Sequence, residues 1–390
     1  MRVMSIRAIA ARVCHTTVAI AAITGAACDD RTAESRSTGD PKPFESEREV
    51  VIYVSTDEAL ARPILDAFQR SSGITVRARY DGENAKATGF AAMIRVERDA
   101  PRADLFWSGE CFVAAQLATE LLVDPWRSGR VDQFPASLRG GSGRWYGLTP
   151  RVRVLVYDPS KIAAADLPTS MIDLASPTWK GRVAIADPRF GTTRGQIGAL
   201  AAQLEAREVG GWKKWVSAIA ANHPLILAGG NGAVVDAVAR GEAALGLTDT
   251  DDVYGAVAGG ASLAMVALRH LPPGESGGGA MVIPASVALV AQAPHPREAS
   301  ELMSFLLDQD VTQWMHQSRQ GTLIVPEIAA LAVAGSPAPA PEGFPLMPAR
   351  IDPMRINTVD DPAQFDADEL AAAIDKAIAE FMNTCRAEPR

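Results

Sequence analysis

Apolar positions along this chain fall into short continuous runs that alternate with helical spacings. Val50-Val51-Ile52-Tyr53-Val54 has the length and continuity of a buried strand. Leu60, Ile64 and Phe68 then recur at helical spacing, with Gly73 as a stop. Ser55 and Glu58 make an S-x-x-E capping box at the start of that helix, and Pro63 inside it predicts a bend or a later start. The pattern continues as a strand over 74–80, a helix over 85–96, a strand over 103–107 and helical residues over 112–121. Val152, Val154 and Val156 alternate with Arg153 and Leu155, which predicts a half-buried strand in mid-chain. A second series follows: strand 183–186, helix 193–204, strand 225–227, helix 233–240 and strand 243–248. Further strands are expected over 264–268 and 281–291, with Gly277-Gly278-Gly279 as a loop and one amphipathic helix over 298–315. Five prolines between 336 and 348 read as an extended connector. Leu370, Ile374, Ile378 and Phe381 predict a final surface helix that docks its apolar face on the body. Strands alternating with helices predict parallel βαβ units and an α/β fold.

Composition narrows the function classes. The 390 residues, 47% hydrophobic and 22% charged, suit two or three globular units of about 150 residues. A formal charge of −8 supplies no basic field for nucleic acid or anionic lipid. Four cysteines, Cys14, Cys28, Cys111 and Cys385, form no CxxC pair. No apolar run reaches the roughly 20 residues that span a bilayer. At the N-terminus, Arg2, Arg7 and Arg12 precede an apolar stretch over 18–27, which reads as an export signal. The stretch ends in Gly25-Ala26-Ala27-Cys28, so residues 1–27 are expected to be a lipoprotein-type signal peptide with Cys28 acylated. Leucine is usual where Gly25 stands, and an ordinary secretory signal is the alternative. Residues 28–47 form a polar tether. The expected location is the periplasm or cell surface, with the membrane touched only through a lipid on Cys28.

Several stretches carry a family resemblance. They are Val50–Asp57, Ala103–Glu110, Arg151–Asp158, Trp179–Pro188 and Gly246–Asp252, spread from about 48 to 330. Together, behind such a signal, they resemble the solute-binding proteins of bacterial ABC importers, in the iron(III)-type branch of the family 1 group. The resemblance implies a two-lobed periplasmic-binding-protein fold of type II with the ligand in a cleft between lobes. Lobe one is expected over 48–149 plus 261–330, lobe two over 150–260, and connector plus helix over 331–390. It also implies a monomer that captures a small ligand by hinge closure and delivers it to ABC permease transmembrane subunits. No cofactor is required; Fe3+ enters as the transported ligand.

In open α/β sheets ligands bind where strands end and helices begin. That rule points to Ser55, Thr56 and Asp57, to Asp81, to Trp107 and Glu110, to Gly191, Thr192 and Thr193, and to Asp249, Asp251 and Asp252. Each has a structural alternative. Ser55 suits a cap, Trp107 suits the core, and Thr193 with Gln196 forms a T-x-x-Q box. A glycine and two hydroxyls at a helix start equally suit an anion. Arg151 and Arg153 share one strand face, where a cross-strand ion pair is the simplest arrangement. Three carboxylates within 249–252 repel one another unless a cation, an amine or hydrogen-bond donors neutralise them. Asp57, Glu110, Asp251 and Asp252 are therefore the candidate ligands for a hard metal. Iron-binding members of this branch carry two tyrosines at the positions that align with Asp251 and Asp252; this chain does not, and Tyr254 stands nearby. The departure speaks against tyrosinate-type iron. An organic ligand such as an aminophosphonate, anionic at 191–193 and cationic at the aspartates, fits the same charges. A hydrolase-like enzyme on this fold is the remaining class, but no G-x-S-x-G, P-loop or HExxH motif supports it.

Overall fold

The computed structural model describes residues 48–81, 87–127, 131, 138–318, 339–342, 344 and 366–387. The expected signal peptide 1–27, Cys28, the tether and most of the proline-rich connector lie outside the described residues.

The first apolar run forms β1 (Glu49–Val54), flanked in parallel by β2 (Thr75–Tyr80) and β3 (Leu105–Ser108). Helices α1 (Glu58–Ser72), α2 (Thr88–Val96) and α3 (Phe112–Thr119) follow these strands in turn. α1 buries Leu60, Ile64 and Phe68 and ends at Gly73, whose φ of +70° is the left-handed cap conformation glycine takes without strain. It begins at Glu58, so Pro63 does not delay its start. A short β4 (Val123–Asp124) leads to β5 (Tyr146–Tyr157). The second series comprises β6 (Val183–Ala186), α4 (Gly191–Arg207), α5 (Gly211–Ala221), β7 (Leu225–Leu227), α6 (Gly230–Arg240), β8 (Leu245–Asp249) and α7 (Thr250–Ala258). Then come β9 (Ala264–Ala267), β10 (Val282–Val290), α8 (Pro296–Leu306), α9 (Gln309–Gln317) and α10 (Ala367–Ala387).

The strands join in the order β2-β1-β3-β10-β5-β8-β6-β7, with β4 added to β10 and β9 to β5. β5 links two halves of this arrangement. Residues 146–152 pair with β10, whereas 153–157 pair with β8 and 154–157 also with β9. The return crossing is the segment from β9 into β10. β9 therefore pairs within the second half, although a boundary at 261 puts it in the first lobe.

Three local expectations change. All twelve residues of β5 are buried, not alternate ones, because Arg151 and Arg153 find carboxylates inside the protein. The helix expected over 298–315 is two, α8 and α9, since Asp308 breaks it and caps α9 by accepting the Asp310 N–H at 2.9 Å. Helix α5 was not expected; it buries Trp212, Trp215, Val216 and Ile219 on one face.

A large apolar cluster joins Phe106, Phe112 and Leu117 of the first half to Ile197, Leu200, Trp212 and Trp215 of the second. Leu370, Ile374, Ile378 and Phe381 of α10 belong to it, so that helix docks as its apolar face predicts. At about 1.5–3 kcal/mol per buried large side chain, these residues hold α10 firmly. No disulfide joins Cys111, which is buried, to Cys385, which is partly buried. Among the described residues no helix is long and apolar enough to cross a membrane.

Candidate functional site

Strand ends from both halves converge on one cavity of about 90 Å³, room for several waters or one small hydrated ligand. Ser55, Thr56 and Asp57 reach it from the β1–α1 turn, and Gly109 and Glu110 from the end of β3. The second half contributes Asp187, Phe190–Thr193 at the start of α4, Gly230–Gly232 at the start of α6, and Asp249, Asp251 and Asp252 around the start of α7. Arg151, on β5 between the halves, completes the wall.

Arg153 organises the second-half wall. It is wholly buried and stands directly opposite Asp249 in the β5–β8 register. Its Nη1 donates to Asp249 Oδ1 at 2.7 Å, to Thr192 Oγ1 at 3.1 Å and to Asn231 Oδ1 at 3.2 Å. Its Nε donates to Gln196 at 2.9 Å and its Nη2 to Thr193 at 3.2 Å. The second Asp249 oxygen accepts from Thr192 at 2.6 Å and from Asn231 at 2.9 Å. Burial alone raises a carboxylic acid, but Arg153, Arg151 and Thr192 outweigh it and hold Asp249 below the ordinary range. This is the cross-strand ion pair expected of the strand face. It also uses the Thr193–Gln196 pair, which serves the guanidinium instead of closing a capping box. Thr192 and Thr193 line the cavity with hydroxyls already engaged by protein partners.

Arg151 is different. Its Nη1 lies 3.3 Å from Asp251 Oδ2, and its Nη2 donates to the Gly109 carbonyl, so it bridges the halves. Burial pulls its pKa down, but the surrounding carboxylates of Asp251, Asp249, Asp252 and Asp57 push it up further, and the guanidinium stays charged. Arg151 Nε and Asp251 Oδ1 are buried without a hydrogen-bond partner. Asp251 is pushed up to about 6, chiefly by burial, opposed by Arg151 and reinforced by Asp249 and Asp57. Oxygens of Asp249, Asp251 and Asp252 all lie within 4.8 Å of one another. Asp251 and Asp252 occupy the first turn of α7, where the helix dipole favours negative charge, and Asp249 is its N-cap residue.

The remaining sequence candidates separate cleanly. Trp107, on β3 beside β1, is wholly buried in the apolar cluster with Ile52, Tyr146 and Val287 and does not line the cavity. Asp81 also stands off the cavity; it accepts from Ser55 Oγ at 2.7 Å and from the Ala87 N–H at 3.0 Å, and so fixes Ser55. That bond replaces the Ser55–Glu58 capping box, since α1 takes Asp57 as its N-cap residue. Glu110 lines the cavity, but its carboxylate accepts the Phe112 and Val113 N–H groups at the start of α3, which argues against it as a metal ligand. Burial raises its pKa, opposed by Arg194 and those N–H groups. Tyr254 is buried and does not line the cavity. Sequence reasoning missed Asn231, although Gly229-Gly230-Asn231-Gly232 after a strand marks a tight helix start; Gly230 has a φ of +72°.

The comparisons with known proteins agree with this architecture. The Fe(3+)-binding periplasmic protein of Serratia marcescens is 28% identical over 270 residues, 66% of this chain and 73% of its own. The major ferric iron-binding protein of Neisseria meningitidis is 29% identical over 157 residues, 39% of this chain and 45% of its own. Iron-bound HitA from Pseudomonas aeruginosa matches with a TM-score of 0.66 at 23% identity, covering 86% of this chain and 99% of that one. AfuA from Actinobacillus pleuropneumoniae, with exogenous fructose-6-phosphate bound, matches with a TM-score of 0.64 at 17% identity, covering 88% and 100%. At such identities these structures establish the α/β periplasmic-binding-protein fold. The family model for bacterial extracellular solute-binding proteins matches residues 64–340, well over half of the sequence. On that match, the chain belongs to the bacterial extracellular solute-binding protein family, a family of binding proteins and not of enzymes.

Proposed function

We propose that this chain is the ferric iron-binding component of an ABC importer, closing two lobes around Fe3+ and passing it to the permease subunits. One observation carries the reading: Asp57 from one half meets Asp251 and Asp252 from the other at a single small cavity. Carboxylate oxygens suit a hard trivalent cation, and a ligand held from both sides stabilises the closed arrangement. Asp249 is neutralised by Arg153, so it supports the site without serving as its principal donor. Relatives with ferric iron in their names support the choice of ion. In this reading the lobes are 48–149 with the β10 region and 150–260 with β9, hinged in β5 and before β10. Lipidation at Cys28 is the anchoring mode we carry with it, checked by the mass of the mature chain extracted from membranes.

A second reading, an organic solute bearing an oxyanion, is favoured by Arg151, whose buried Nε on the cavity wall lacks an acceptor. Native mass spectrometry of protein purified without chelator, with elemental analysis, tests both. One iron per chain supports the first reading. An organic mass without metal, or a protein that ignores ferric citrate, contradicts it.

A further inference from the structure

Helix α10 lies across both halves of the protein. At its N-terminal end Asp368 accepts from Trp145 Nε1 at 3.0 Å and from the Gly141 N–H at 3.1 Å, both in the segment that enters β5 from the first half. In its middle Asp375 accepts from Arg194 of α4 at 2.6 Å and from Gln116 of α3 at 3.4 Å, one from each half. At its C-terminal end Glu380 accepts from Trp212 Nε1 at 3.0 Å, and Phe381 stacks on Trp212 and Trp215 of α5 in the second half. The approach is close: a Cβ on Gly198 of α4 would lie 2.4 Å from Ile374.

The covalent crossings between the halves, β5 and the segment into β10, run through the sheet. α10 adds a third crossing in the helical layer, made by non-covalent contacts. Rotation of one half against the other changes the path between Trp145 and Trp212. One end of α10 must then let go, or its apolar face must slide over α3 or α4. We propose that α10 is a strap that limits how far the cleft opens and thereby slows release of the bound solute. The inference rests on the reading of the chain as a hinge-closing binding protein.

The test uses the mature chain with spin labels at V96C and V209C, which replace side chains 85% and 90% exposed in the first and second halves, in a C28S/C385S background. Asp368→Ala removes the first anchor and Phe381→Ala the second. Asp368→Ala deletes only hydrogen bonds at a helix end, so it retains the fold even where Phe381→Ala does not. In iron-free protein, either folded variant is expected to shift the label distance by at least 5 Å or to broaden its distribution. Protein loaded from ferric citrate is expected to lose iron to a chelator at least threefold faster. An unchanged distance distribution in the folded variants overturns the strap. The distance needs no ligand, so failure of the chain to take iron contradicts the proposed solute and leaves this readout to decide on the strap.

Discussion

Arg151 and Arg153 leave the same face of β5, and their partners divide the work between them. Arg153 has all its bonds inside the protein, so Arg153→Met leaves the buried Asp249 carboxylate without its ion pair. A loss of about 3–5 kcal/mol is expected in urea denaturation followed by circular dichroism. Asp251 has the opposite sense. Its native carboxyl titrates at about 6 against an ordinary 3.8, so the folded state holds the proton more tightly than the unfolded state. Its penalty is absent below about pH 4, grows as pH rises towards 6 and is complete above, about 1–3 kcal/mol at pH 7. Asp251→Asn is therefore expected to make the empty protein more stable at pH 7 and to flatten its stability between pH 4 and 6. Denaturation at pH 4, 5, 6 and 7 checks this. Such a trade of stability for an ionised group is what the proposed binding role of Asp251 requires. At this scale the sequence was partly legible. A cross-strand ion pair on the face of Arg151 and Arg153 followed from alternation along β5, though not the identity of its partner Asp249, and the aspartate cluster followed from crowding of like charge. Trp107 was not separable from true cavity residues, nor the engaged carboxylate of Glu110 from an available one, because the surroundings of a side chain after a short strand depend on packing far away in sequence.

Helix starts show how local signals are redirected by tertiary partners. Ser55 and Thr193 both open valid capping motifs, yet Ser55 bonds to Asp81 just past the end of β2 and Thr193 to Arg153 of β5. A capping bond contributes about 1 kcal/mol, and a buried guanidinium leaves a larger penalty when its donors go unmet. Helix α4 shows the same override in packing. Gly195 faces Phe112 of α3 so closely that a Cβ would lie 1.9 Å from its ring. Gly195→Ala gains about 1 kcal/mol of helix propensity, but overpacking outweighs that gain. A net loss of about 1–2 kcal/mol is expected, read from the urea midpoint. Strands and long helices were legible from their periods. α5 was not, although Trp212, Trp215, Val216 and Ile219 keep helical spacing, because Gly210-Gly211 breaks the run just before it.

Across the whole molecule, the two α/β series and the mid-chain strand that joins them follow from hydrophobic pattern and resemblance together. The place of β9 did not, since pairing with 154–157 rather than with β10 is decided by the second half closing on itself. Cavity walls supplied by both halves imply linkage between ligand and global stability. Ferric ion at 100 times its Kd is expected to add about 2.7 kcal/mol and to raise Tm, seen by calorimetry with and without ferric citrate.

In the proposed site, aspartates from both halves hold ferric iron in the cleft. Equilibrium titration with ferric citrate, comparing the native chain with Asp251→Asn/Asp252→Asn, tests it most directly. One site per chain is expected, weakened at least a hundredfold in the double variant. No visible phenolate-to-iron absorption is expected, because no tyrosine lines the cavity. Equal binding by the native chain and the folded double variant, or a strong visible band from bound iron, would contradict it.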